Sequence, residues 1–338
     1  MVSGTLTALA VLFLAFRWRG AGFDWRLFGA TLFRLDWGWV FWSALLGIAT
    51  YYGRALRWSV MLKPLRSKPN IWRLFSATAI GFTAVVIFGR PGEFVRPYLI
   101  SVKEKVPFTS QLAAWLLERA CDLLTTLLIF GFALSQVNRS AVTVGPALEW
   151  VFKVGGYIVA VSCLLCLLIL ILFRHYAEPM RRRLLEALGF LPAKYYNKSE
   201  EMIGAFAQGV EATRDPGSLT LLVIYTLLEW ALITGSVFCL LRAFPGLGGF
   251  RIADVLIFLG FVSFGSVIQL PGIGGGTQIV SVVVLTELFG MPLELASSVA
   301  LGIWIITFVV IVPVGTVFLF HEGLSWQKLK DMEAEASL

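Results

Sequence analysis

Charge is scarce in this chain. Asp, Glu, Lys and Arg make up 14% of its 338 residues, where a soluble domain carries about a quarter. That shortage excludes an ordinary water-facing surface. Histidine is scarcer still: His175 and His321 are the two present, and both fall outside the apolar runs. The one Cys pair at ligand spacing has no His or second pair beside it, so neither a metal nor any other cofactor is expected. The four cysteines, Cys121, Cys163, Cys166 and Cys239, all lie in apolar segments. Cys163 and Cys166 form a C-x-x-C in mid-run, with no second pair nearby, and read as small apolar thiols. No Ser/His/Asp set, no P-loop and no nucleotide motif is found. The net charge of +7 has no folded basic domain to sit on, which argues against a nucleic-acid partner. It fits basic loops on the cytoplasmic side of a membrane.

Apolar residues are abundant, at 58%. Several runs reach the ~20 residues that cross a bilayer. The fold class is therefore an all-α integral membrane protein, a polytopic helical bundle. Helices are predicted at about 2–16, 37–62, 109–135, 147–173, 218–243 and 293–320, the last interrupted at Pro313. The first has no basic n-region or cleavage site before Arg17, so it reads as a retained helix. Residues 17–36 read as an amphipathic interfacial segment. Arg57 and Trp58, near the end of the second helix, read as interfacial anchors that snorkel. Residues 174–216 form the one long polar stretch, an amphipathic cytoplasmic loop with two surface helices. Residues 321–338 form a short charged cytoplasmic tail after a membrane domain spanning 1–320.

Two stretches break the pattern. Gly81-Phe82 begins one, which reaches Gly89-Arg90-Pro91-Gly92-Glu93 about ten residues on. Gly260-Phe261 begins the other, which reaches Pro271-Gly272. Backbone exposed to lipid cannot leave its helix, so such breaks belong inside protein or beside water. Paired interruptions in two halves of a membrane chain point to a transport site. If residues 71–108 are re-entrant, the basic loops before and after them fall on one side, as the positive-inside rule favours. The second hairpin then enters from the opposite face. The expectation is an inverted pair in the cytoplasmic (inner) membrane, with both termini cytoplasmic.

Charged residues near these breaks are the candidate site. Arg90 and Arg96 flank the first break, Pro91 suits the first position of a new helix, and Glu93 sits in its first turn. Two arginines there can cradle a phosphate, which guanidinium binds bidentately; Arg90 and Glu93 can instead pair to close the hairpin. Glu118 and Asp122 lie one turn apart on a helix face, with Arg119 in reach of Asp122. They read either as a cluster that clamps Arg90 or Arg96, or as titratable groups for proton coupling. Gly272, Gly274, Gly275, Thr277 and Gln278 form a glycine-rich turn before a helix, a candidate anion nest. Glu229 is a lone acid in an apolar helix and reads as an arginine partner.

Three of these stretches carry a resemblance. Gly89–Leu99, Glu118-Arg119-x-x-Asp122 and Leu270-Pro271-Gly272-Ile273-Gly274, with the segment at Arg57-Trp58, resemble the flippase-like membrane domain of lysylphosphatidylglycerol synthases. The resemblance implies translocation of an anionic phospholipid or a polyprenyl-phosphate-linked lipid, and places Arg90, Glu93, Arg96, Glu118, Arg119 and Asp122 at core positions. The aminoacyl-transferase domain of those synthases is not seen, so lipid lysylation is not implied. Gln278 stands where relatives often carry an acid. Expected partners are membrane lipids, including the anionic lipid substrate, and a lipid-modifying enzyme or glycosyltransferase; the oligomeric state, homo-oligomer included, is open. The competing readings are an intramembrane enzyme acting on a lipid-linked substrate and a non-catalytic glycosyltransferase subunit.

Overall fold

The computed structural model describes residues 23–137, 161–162, 164–165, 168, 182–183, 185–189, 192–210, 215–265, 269–270 and 274–323. The helix expected at 2–16, most of that at 147–173 and the tail beyond 323 lie outside the described residues. Helix α1 (Trp25–Phe33) is followed by α2 (Trp37–Leu62), α3 (Ile71–Phe88), a 3-10 turn (Arg90–Phe94), α4 (Val95–Glu104) and α5 (Phe108–Val137). Then come α6 (Ala193–Val210), α7 (Pro216–Ala243), α8 (Ile252–Gly265), a two-residue ladder, α9 (Gly276–Glu287), α10 (Leu293–Trp304), a π turn (Ile305–Val309) and α11 (Ile311–His321). The protein is all-α apart from that ladder. Among the described residues, Ile71–Phe88, Pro216–Ala243 and Leu293–His321 are long and apolar enough to cross a membrane. Helices α2 and α5, of 26 and 30 residues, are as long but hold the charged residues discussed below.

Helix starts follow local chemistry. Asp24, Asp36, Asn70 and Asp215 each cap a helix by accepting from backbone N–H groups of its first turn, satisfying donors that a helix leaves open. Trp25, Trp37, Trp42 and Trp72 are exposed near three of these starts, as aromatic side chains at a membrane interface would be. Helix α1 rests on α10, where the Asp24 N–H donates to the Glu294 carboxylate at 3.1 Å.

The first broken stretch is a tight hairpin. Gly89 takes φ 75° and ψ −145°, a conformation that side chains disfavour, and Pro91 follows at the start of the 3-10 turn. The chain then runs back along α3. A Cβ on Gly92 would stand 2.5 Å from the Ala84 carbonyl oxygen, and one on Gly81 would stand 2.5 Å from the Arg96 Cβ. The two glycines are therefore what lets α4 lie against α3. Lys105, with φ 55°, ends α4 in the left-handed region.

In the second broken stretch Gln269 pairs with Gly275 and Leu270 with Gly274, antiparallel. The glycine-rich turn expected there thus places Gly274 and Gly275 in a ladder, and Gly272 lies outside the described residues. The last helix is interrupted ahead of Pro313, at residues 305–309. Proline has no N–H for the carbonyl four residues back, and its ring crowds that carbonyl. The helix widens instead: the Val310 N–H donates to the Ile305 carbonyl at 2.9 Å, and the Tyr51 hydroxyl donates to the Thr307 carbonyl.

Packing follows an exchange pattern. Helix–hairpin–helix occurs twice: α2, α3/α4, α5 and then α7, α8/α9, α10–α11. Helices α2 and α7 pack antiparallel, with Ser43 and Ser236 donating to each other's carbonyls at 2.8 Å near one end and Arg57 meeting Thr226 near the other. Small residues at the crossing let such helices approach closely. Helix α3 packs on α11, where a Cβ on Gly315 would meet the Ala79 carbonyl oxygen at 2.6 Å. Helix α8 packs on α5, where Gly260 abuts the Phe130 backbone. Each hairpin is thus seated against the final helix of the other unit. Each also has its own core, one around Trp58, Leu74, Ile80 and Ile100, the other around Leu241, Phe258, Leu285 and Val299.

Candidate functional site

Between α2, α4, α5 and α7 lies a largely buried cluster of charge. Arg54 and Arg57 share a face of α2 at i,i+3 spacing, and Glu118 and Asp122 share a face of α5 at i,i+4. The two faces meet. The Arg57 guanidinium donates to Glu118 at 2.6 Å and to Asp122 at 2.7 Å. Arg54 lies 2.7 Å from Glu229 of α7, and 3.5 Å and 3.7 Å from Glu118 and Asp122. Arg57 also reaches Glu229 at 3.3 Å. From α4, Arg96 donates to Glu118 through both terminal nitrogens, at 3.2 Å and 3.1 Å. Arg119 closes the set, 3.4 Å from Asp122 and 3.9 Å from Glu118.

Burial sets the energetics. Glu118 and Glu229 are 0% exposed and Arg57 1%. Ionised groups leave water at such depth only when partners replace their hydration. Helix rise puts Glu118 ~15 Å and Glu229 ~20 Å along their helices, well inside a ~30 Å apolar slab. An aromatic floor lowers the local polarity further. The Arg96 guanidinium sits 4.0 Å over the Trp58 ring, a cation–π contact, and Trp58 is held by its indole N–H, which donates to Gln111 at 2.9 Å.

The cluster is most exposed at Arg119. Arg119 is 39% exposed at its side chain. It shares a cavity of about 60 Å³ with Arg96, Glu93, Phe82, Trp115 and Phe308, room for water molecules. An apolar cleft of about 550 Å³ runs between α5, α7 and α8, lined by Thr125, Leu128, Phe132, Trp230, Phe238 and Leu256 among others. It begins one turn along α5 from Asp122, and Trp230 follows Glu229 on α7.

The structure thus brings together five of the residues predicted from sequence: Arg96, Glu118, Arg119, Asp122 and Glu229. Glu93 lines the same cavity. Arg90 opens the 3-10 turn, and its side chain lies outside the described residues. Thr277 and Gln278 stand in the first turn of α9, which packs chiefly on α8 and α10, away from the elements of the cluster. Arg57 and Trp58 require a correction. They were expected as snorkelling anchors, but both are buried and Arg57 touches three carboxylates. Arg54 was missed as a site residue. The signal that finds both is the i,i+3 pair of cations on α2 facing the i,i+4 pair of acids on α5.

A polytopic helical membrane protein that buries arginines and carboxylates at this depth must give each a charged or polar partner, since such groups are otherwise excluded there. Residues 1–315 match the family described as the lysylphosphatidylglycerol synthase TM region, and the chain belongs to that family. No significant match to it is found among curated proteins or solved structures.

Proposed function

We propose that this protein is a transporter, not an enzyme, and that it moves an anionic lipid between the leaflets of the cytoplasmic membrane. The substrate class is a phospholipid or a polyprenyl-phosphate-linked lipid. The observation that carries the reading is the buried arginine cluster, most exposed at Arg119 among the described residues. A phosphate left unpaired at membrane depth would cost several kcal/mol or more, and lowering that cost is the task of a translocase. In this reading the lipid phosphate enters beside Arg96 and Arg119, whose guanidinium groups replace its hydration bidentately. Its apolar chains remain in the cleft between α5, α7 and α8. When the lipid leaves, Glu118 and Asp122 reclaim the arginines. The antiparallel packing of α2 on α7 supports an inverted pair of units, the architecture of alternating access.

The test is transbilayer movement in proteoliposomes, using labelled phosphatidylglycerol and polyprenyl phosphate, with wild type beside Arg119→Gln. Arg119 is the most exposed member of the cluster and makes no ion pair shorter than 3.4 Å among the described residues, so the variant is expected to fold. Protein-dependent movement, lost in the variant, supports the reading. No movement by folded wild-type protein refutes it and favours an enzyme or a partner subunit.

A further inference from the structure

We propose that the first hairpin and α11 form one body that tilts against the α2–α7 pair, with the π turn at residues 305–309 as its hinge. The proposal goes beyond the translocation reading: it concerns how the cavity at Arg96 and Arg119 changes width, whatever that cavity admits. The last helix passes from one core to the other at the π turn. Before it, Val299, Ile303 and Ile306 are buried in the second core, and Val310 packs against that core. After it, Ile311 and Leu319 are buried in the first core, with Val314 and Phe318 packed alongside. Helix α10 accordingly lies chiefly on α1 and α9, and α11 on α3. Helices α2 and α7 also touch both cores, but each runs through as an unbroken α-helix. The last helix is broken where it crosses. Pro313 offers no N–H to the Val309 carbonyl four residues back, and the Val310 N–H reaches past Ile306 to the Ile305 carbonyl. Helix bends concentrate at such points, and π turns recur at functional sites.

Beyond the hinge, α11 is fastened to the hairpin along its length. A Cβ on Gly315 would strike the Thr83 hydroxyl and the Ala79 carbonyl, so α11 is seated directly on the α3 backbone. One turn on, the Phe318 ring stands edge-on to Phe75 at 5.7 Å and to Trp72 at 5.4 Å. At the far end the Lys103 ammonium donates to Glu322 at 2.6 Å and to the Ser76 hydroxyl at 2.7 Å. Lys103 belongs to α4 and Ser76 to α3, so one ammonium ties both arms of the hairpin to the end of α11. Within the hairpin, Gly81 and Gly92 hold the two arms at backbone contact. Packing this close does not slide piecemeal, and the three segments move as one.

The hinge has a fixed point and a working face. Tyr51 of α2 is buried, and its hydroxyl donates to the Thr307 carbonyl, which pins the turn to the α2–α7 pair. Phe308, the next residue, lines the cavity with Arg96 and Arg119. A tilt at the turn moves Phe82 and Arg96, on the hairpin, relative to Trp115 and Arg119 on α5, and so sets the width of the cavity between them.

The experiment is spin-label distance measurement on the full-length protein in nanodiscs of phosphatidylglycerol and phosphatidylethanolamine, with the four native cysteines replaced by alanine. Val317→Cys on α11 is paired with Val102→Cys on α4, inside the body, and separately with Val223→Cys on α7, across the hinge; all three valines are exposed. Val317 lies eight residues past the end of the π turn, ~12 Å along the helix, so a bend of ~20° carries it roughly 4 Å. The inside pair is expected to give one narrow distance, and the across pair to spread or split by roughly that 4 Å. Pro313→Leu, which restores the missing N–H, is expected to narrow the across pair. An across pair as narrow as the inside pair overturns the proposal. So does an inside pair that spreads as far as the across pair, or a folded Pro313→Leu with unchanged spread. If that variant does not fold, the comparison of the two pairs without it decides. A refuted tilt leaves the translocation reading to its own assay, and failed lipid movement leaves the tilt to this one.

Discussion

Replacing Arg57 by methionine separates a sealed ionic cluster from an interfacial anchor. The substitution keeps most of the side-chain volume and removes the charge. Glu118 and Asp122 lose their closest partners, at 2.6 Å and 2.7 Å, Glu229 loses its contact at 3.3 Å, and Thr226 loses a hydrogen-bond donor. Asp122 is left with contacts of 3.4 Å and 3.7 Å alone. Removing one partner of a buried ion pair costs about 3–5 kcal/mol, because the remaining charges stay buried. An exposed anchor would cost about 0–1 kcal/mol. The assay is equilibrium unfolding in mixed micelles, with Arg57→Met, Asp122→Asn and the double variant in one cycle. Coupling of about 0.5–3 kcal/mol between the two positions is expected, so the double variant should be more stable than the sum of the singles implies. A single-variant loss below about 1 kcal/mol, with additive behaviour in the double, would refute the buried-cluster argument.

Two further outcomes follow from local geometry. Gly92→Ala drives a Cβ to 2.5 Å from the Ala84 carbonyl oxygen, so the hairpin must open and stability should fall by about 1–3 kcal/mol; Gly248→Ala, where nothing lies within 4 Å, is the control, and equal stabilities would show that the arms do not touch. At the start of α7, the Asp215 carboxyl is held below its usual pKa, first by the Ser218 side chain and then by the Ser218 backbone N–H at 2.8 Å. A depressed folded-state pKa means that the cap is fully in place above the usual carboxylate range and is lost as pH falls through the lowered value. Amide exchange at Ser218 should therefore stay slow through the pH where an ordinary aspartate titrates, and exchange that accelerates at the ordinary value would contradict the bond.

Much of this was readable in the chain. Residues 37–62 are mostly apolar and hold no proline, and α2 spans Trp37–Leu62. Gly89, Pro91 and Gly92 announce a break because each restricts or frees the backbone in a way no neighbour can change. The acids of α5 had to face protein or water, because lipid would not accept them. Partner choice was not readable. Arg57 near a helix end reads as a snorkelling anchor, and only the antiparallel packing of α2 on α7, with α5 alongside, shows that it is sealed among three carboxylates.

Sequence alone determined the solvent, the helices and the places where they break, since those depend on composition and on backbone chemistry within a few residues. Tertiary structure decided which charges meet. Arg54 and Glu229 are 175 positions apart, and their 2.7 Å contact depends on the register of α2 against α7, which Ser43, Ser236 and the small residues between them fix by close approach. The same register brings Arg96 and Arg119 to the cavity beside the first hairpin. The cluster is made by seven side chains from four helices, and no one of those segments contains it.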